Sequence, residues 1–218
     1  MSAARDEVLG RIRRALGDSP APVPIPRAYR HEGDLPREAV LDLFVDRLVD
    51  YKAAVRRCTS AELVDTLTSV LAGRAAVVTP PEPAAVVTPP EPAAVVTPPG
   101  LPWELPGAVI DDGLTAAELD RLDGVVTACA VAVAETGTIV LDGSPDQGRR
   151  AITLIPDYHL CVVRASQVVQ TVPEAVARLD PSRPLTWISG PSATSDIELQ
   201  RVEGVHGPRN LEVVLVED

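Results

Sequence analysis

Two short polar stretches set between apolar runs hold the residues best suited to chemistry. The first, Ala134-Glu135-Thr136-Gly137-Thr138, lies between residues 125–133 and 139–141. The second, Gly204-Val205-His206-Gly207-Pro208, precedes residues 211–216. The flanking runs are short, rich in Val and Ile and bounded by turn residues, so they read as buried strands. Polar loops at the ends of buried strands are where α/β proteins place their sites. His206 stands near two glycines, Gly204 and Gly207, that let the backbone bend around a ligand, and histidine exchanges a proton readily at neutral pH. Glu135 can serve as a nucleophile, as a base, or only as a turn former, with Thr136, Gly137 and Thr138 completing its turn. A third loop, 190–198, offers backbone amides and the hydroxyls of Ser192, Thr194 and Ser195 for an anionic group, followed by Asp196 and Glu198; its plainer reading is a serine-rich turn capping a short helix. In an extended segment Asp196 and Glu198 point to opposite sides, which argues against a paired acid and base. Arg149 and Arg150 form the basic cluster near these loops, and a bidentate guanidinium suits a substrate carboxylate, the alternative being a solvated turn. His159, in an apolar strand, and His31, in a polar loop, are set aside as structural or exposed.

Composition removes several classes. Lys52 is the one lysine and reads as part of an amphipathic helix, so Schiff-base and P-loop chemistry lack their key residue. No Gly-x-Gly-x-x-Gly occurs and no pair of histidines has metal-ligand spacing. Cys58, Cys129 and Cys161 are far apart, an odd number without metal spacing. That predicts a reducing compartment, thiols that are mostly core residues and no iron–sulfur cluster in this chain, with Cys129 a packing residue. A net charge of −11 disfavours nucleic acid and anionic lipid as partners. The first residues lack the apolar stretch of a signal peptide and no run reaches the ~20 residues of a membrane span, so the expectation is a cytoplasmic protein without membrane insertion.

The elements that must position these residues follow from periodicity. Residues 5–16 read as an amphipathic helix ended by Gly17, followed by an extended proline-rich stretch, and together residues 1–35 form an N-terminal arm. The α/β domain then spans 36–218. Its first helix is predicted from Pro36 to about residue 57 on the stripe Leu41, Phe44, Val45, Leu48 and Val49. Thr59-Ser60-Ala61-Glu62 has capping-box form before a second helix to Gly73. Residues 75–83, 84–92 and 93–99 are repeats of one proline-rich unit, too few to build a solenoid. One copy is expected to be a sheet strand and the others an extruded, partly disordered loop, the copies being interchangeable by sequence. Further strands are predicted at 108–110, at 125–133 with a kink near Ala128, and at 139–141, 152–155, 160–163 and 185–188. Helices are predicted after Thr115 and Thr171. The alternation predicts an α/β fold with a largely parallel sheet flanked by helices.

Taken in order, Glu135-Thr136-Gly137-Thr138, Gln147-Gly148-Arg149-Arg150, Pro156-Asp157-Tyr158-His159, the loop from Gly190 to Glu198, and Gly204 to Arg209 resemble the motifs of the lactate utilization protein C family, which carries the LUD domain. The proline-rich repeat is the departure. The resemblance implies a fold similar to the NagB/RpiA/CoA-transferase group. It also implies a role in oxidising L-lactate to pyruvate beside partner proteins that bind iron–sulfur clusters. Two readings follow. In one, the chain is a non-redox component of the complex that binds a small 2-hydroxy or 2-oxo acid or helps to assemble its partners; the acid-binding form assigns the residues. Arg149 or Arg150 would then hold the carboxylate, His206 would exchange the hydroxyl proton, and residues 192–196 would complete the pocket. In the other, it is a stand-alone enzyme, similar to CoA transferases or to isomerases, that uses Glu135.

Overall fold

A computed structural model of the chain describes residues 3–17, 24–75, 94–194, 202–203 and 206–218. Backbone contacts divide the chain into two units, 1–30 and 31–218. The first unit contains helix α1, Ala3–Leu16, which buries no residue. Its apolar positions Val8, Ile12 and Leu16 stand exposed along one face.

In the second unit, α2 spans Arg37–Asp50 and buries Val40, Leu41, Phe44 and Leu48; of the predicted stripe Leu41, Phe44 and Leu48 are buried and Val45 partly so, while Val49 stands exposed in the last turn. It ends seven residues earlier than its sequence pattern suggests. Tyr51 caps it, Lys52 takes a positive φ of 65°, and Ala53 N donates back to the Leu48 carbonyl. The chain then reverses into β1, Ala54–Cys58. Lys52 therefore occupies a turn rather than the helix. Because β1 is an edge strand carrying Arg56 and Arg57, it shows no clean alternation that would have distinguished it from a helical tail. Helix α3, Leu63–Ala75, starts after Glu62, whose carboxylate accepts from both the amide and the hydroxyl of Thr59.

Of the repeat, residues 76–93 fall outside the described residues. The third copy supplies β2, Val95–Thr97. There follow β3 (Val109–Ile110), α4 (Ala116–Leu119, capped by Thr115), β4 (Gly124–Thr127), β5 (Val131–Val133) and β6 (Thr138–Leu141). The chain continues with β7 (Tyr158–Arg164), β8 (Val168–Val169) and α5 (Val172–Arg178, capped by Thr171). It closes with β9 (Thr186–Ile188), β10 (Ala193–Thr194), β11 (Val202–Glu203) and β12 (Asn210–Val216).

One sheet has six strands in the order β1-β12-β7-β4-β2-β3, and its ladders are parallel. A second has four in the order β8-β5-β6-β9, with antiparallel β5/β6 and β6/β9 pairs. Strands β10 and β11 form a separate hairpin pair. The run 125–133 is thus two strands in two sheets. The irregular step at Ala128 lets the chain change sheet, with Ala128 N bonded to Asp146 O and Ala130 N to Val140 O. Residues 152–155 are not a strand. Arg150–Thr153 forms a single 3-10 turn that buries only Ile152 and Thr153, because Pro156 follows too closely for a strand to extend.

The alternation along β12 shows how the core is divided. Leu211, Val213 and Leu215 pack with Phe44 and Leu48 of α2, while Val214 and Val216 pack with Leu63, Leu67 and Val70 of α3. Successive side chains of a strand point to opposite faces, so one helix covers each face of the parallel sheet. Among the described residues no helix is long and apolar enough to cross a membrane.

Candidate ligand cleft

The loop after β9, the 3-10 turn at Arg150 and the segment before β12 converge on a cleft of about 210 Å³. Its polar lining includes Arg150, Thr153, His159, Ser189, Ser192 and His206. Of the sequence candidates, Arg150, Ser192, His206 and Gly207 are brought together here.

The Arg150 guanidinium donates from Nη1 to the Thr153 carbonyl (2.8 Å) and hydroxyl (3.0 Å), and from Nη2 to the His206 carbonyl (3.3 Å). These acceptors are all neutral, and among the described residues no carboxylate pairs with it. Partial burial pulls its pKa down. Ser192 holds the other wall: its Oγ accepts from His206 N (3.1 Å) and its amide donates to the Pro208 carbonyl (2.8 Å). The His206 segment is thereby tied to the loop after β9 by backbone, leaving the imidazole at the exposed mouth of the cleft.

His159, set aside by sequence reasoning, belongs to this cleft. It is 1% exposed, and its Nε2 shares a 2.8 Å hydrogen bond with the Thr127 hydroxyl of the neighbouring strand. Burial, aided by the nearby Arg150 charge, presses its pKa down to about 4, so the ring is neutral at pH 7. The signal available in the sequence was that a histidine within a Val- and Leu-rich strand is a buried polar group and must find a partner.

Arg149 is committed elsewhere. Its Nε and Nη2 bind the two oxygens of Asp111 at 2.7 and 2.8 Å, and Nη2 also reaches the Leu114 carbonyl. Asp111 is 7% exposed, and its carboxylate also accepts from the Gly113 and Leu114 amides. The pairing with Arg149 holds its pKa below the usual carboxylate value. Replacing Asp111 with asparagine is expected to lower stability by about 2 kcal/mol, between the worth of exposed and fully buried pairs. A lowered carboxylate pKa adds stability above the unfolded value near 4 that disappears as pH falls through the folded value. The wild-type advantage over Asp111→Asn should therefore shrink below pH 4 in urea denaturation.

The Glu135 turn packs away from the cleft lining. Glu135 Oε1 accepts from Gln170 Nε2 (3.2 Å) and its amide donates to the Gln170 carbonyl (3.1 Å). Gly137 has φ 55°, and a Cβ there would come within 2.9 Å of the Arg47 side chain, so the turn is fitted against α2. Thr136 and Thr138 share a hydroxyl bond of 2.7 Å, and Thr138 passes it on to Ser189 at 2.8 Å, the link from this turn to the cleft. Thr194 lies in β10, while Ser195, Asp196, Glu198 and Gly204 fall outside the described residues. Cys129 is buried, and its thiol pKa is raised by the adjacent Cys161 thiol and by burial, the setting of an inert packing residue.

A LUD domain family model matches residues 109–216. Over 226 aligned residues the chain is 47% identical to lactate utilization protein C of Deinococcus radiodurans, covering 98% of this chain and 95% of that protein. It is 32% identical to lactate utilization protein C of Bacillus subtilis over 124 residues, about half of either chain. Among solved structures it resembles a DUF162 family protein from Deinococcus radiodurans, with a TM-score of 0.66 and 42% identity over 84% of this chain and 99% of that one.

Proposed function

The chain belongs to the lactate utilization protein C family, and from that premise we propose that it is a non-redox component of an L-lactate utilization system, binding a small 2-hydroxy or 2-oxo acid in the Arg150 cleft. One observation carries the reading: Arg150 is a partly desolvated guanidinium that, among the described residues, is held by neutral acceptors alone, beside a neutral buried histidine. Such a group has its charge in hand for a carboxylate, whereas Arg149 has spent its own on Asp111. Size supports this. A three-carbon acid displaces roughly 120 Å³, about four waters' worth, and the cleft offers about 210 Å³.

In this reading the carboxylate lies on Arg150, within reach of the hydroxyls of Thr153, Ser189 and Ser192. His206 takes the proton of the substrate hydroxyl, or returns it. His159, being neutral, adds no second positive charge and can donate or accept a hydrogen bond at the cleft floor. Oxidising lactate to pyruvate breaks the O–H and C2–H bonds and releases two protons, one of them to His206 and the other to water, with two electrons that iron–sulfur partner proteins, which we also place with this chain in the cytoplasm, would accept. The alternative built on Glu135 has no comparable support, since its carboxylate engages Gln170 outside the cleft lining.

Calorimetric titration of the purified chain with L-lactate and with pyruvate tests the reading. Saturable binding of at least one acid is expected, weakened in His206→Ala. Absence of heat from both acids, on a chain folded by circular dichroism, overturns it.

A further inference from the structure

A second cavity, of about 550 Å³, adjoins the cleft and shares Arg150, Thr153 and Thr186 with it. It lies beyond the carboxyl ends of two parallel strands: Pro99 follows β2 and Asp111 follows β3. Ligands of open α/β sheets bind at such strand ends. The cavity exceeds what a three-carbon acid requires by several times, so the small acid alone leaves it unexplained.

Its walls say what would fill it. Pro99, Leu141, Pro145 and Pro184 present apolar surface, and the carboxylate among its lining residues, Asp111, is already neutralised by Arg149. Gly148, also in the lining, has φ 71°, and a Cβ there would meet Ile152 Cδ1 at 2.6 Å; the wall is bare backbone by necessity. The cationic group on the shared boundary is Arg150, whose bonds to Thr153 and His206 leave donors over. An anionic head with an uncharged aliphatic body is the ligand chemistry that satisfies both compartments.

We propose that the site receives 2-hydroxy or 2-oxo acids longer than lactate, with the carboxylate on Arg150 and the alkyl chain in the cavity lined by Pro99, Leu141, Pro145 and Pro184. The inference rests on the acid-binding reading of the cleft and deepens it, by assigning the substrate class through chain length.

The test is a calorimetric series on the full chain with L-lactate, 2-hydroxybutyrate, 2-hydroxyhexanoate and 2-hydroxyoctanoate, each also run in competition with lactate. Burying a methylene contributes about 0.8 kcal/mol, so the dissociation constant is expected to fall by up to about fourfold per added carbon, with the long acids displacing lactate. In Pro184→Trp, which fills the cavity from an exposed wall, the ratio of octanoate-length to lactate affinity should collapse towards one. A wild-type affinity that is flat or falls with chain length overturns the inference and leaves lactate binding standing. Long acids that bind without displacing lactate overturn it as well. Failure of every acid to bind overturns the cleft reading itself. If Pro184→Trp does not fold, the wild-type series and the competition decide.

Discussion

Replacing Arg150 with glutamine is expected to weaken binding of L-lactate and pyruvate by about a hundredfold while changing the melting temperature little. Hydrogen bonds to a charged group are worth about 1.5–3 kcal/mol, and a hundredfold loss is about 2.7 kcal/mol. The fold should tolerate the change because Arg150 makes no ion pair among the described residues, and its acceptors at Thr153 and His206 are largely carbonyls that water or the glutamine amide can satisfy. The neighbouring substitution is the control. Arg149→Gln breaks the bidentate pair with nearly buried Asp111, so it should cost stability and spare affinity. Calorimetry and thermal melts on the two variants read this double dissociation. Equal loss of affinity in both, or none in Arg150→Gln, would remove Arg150 from the site.

The second large effect is a loss of about 3 kcal/mol of stability as pH falls from 6.5 to 4, at about 1.4 kcal/mol for each pH unit between the folded and unfolded pKa of one buried group. That group is His159, which carries a folded pKa of about 4 against an ordinary value of 6.5. Between those values the unfolded chain binds a proton that the folded chain refuses, so stability rises with pH across the window and declines as pH is lowered. The burial of the ring leaves little solvent to screen the effect. Below pH 4 both states are protonated and this contribution levels off. Urea denaturation at pH 7, 6, 5 and 4.5 should show the decline, and in His159→Gln, which keeps a partner for Thr127, the slope in this window should flatten. A wild type and variant that run parallel across it would show that His159 is not held neutral. The two effects are coupled: Arg150 is one cause of the lowered histidine pKa, so Arg150→Gln should raise that pKa towards its ordinary value and make the decline shallower overall.

Local rules made much of the architecture legible. The stripe through Leu41, Phe44 and Leu48 marked α2, the Thr115 and Thr171 caps marked α4 and α5, and the runs around Val125, Ile139 and Val213 marked strands. In each case the pattern and the stabilising contact lie within one or two turns of chain. The errors arose where the deciding partner was distant. Residues 54–58 became a strand because β12, far along the chain, offered a parallel ladder. The run 125–133 was split because the second sheet drew β5 away from the first. Among the interchangeable repeats, the copy nearest β4 pairs with it, and no residue type could announce that.

The candidate site shows the same division. By itself the sequence determined the polar loops, the glycines that shape them, the scarcity of lysine and the thiols without metal spacing, all of which are properties of composition and short-range pattern. Only the tertiary structure decided which side chains meet. Arg149 and Arg150 are adjacent and chemically identical, yet one is neutralised by Asp111 across 38 positions and the other faces the cleft. His159, unremarkable in its strand, is paired with Thr127 32 positions away and pressed neutral by burial. Charge pairing and desolvation depend on separations of a few ångströms between residues far apart in sequence, and those separations exist only once the sheets have closed.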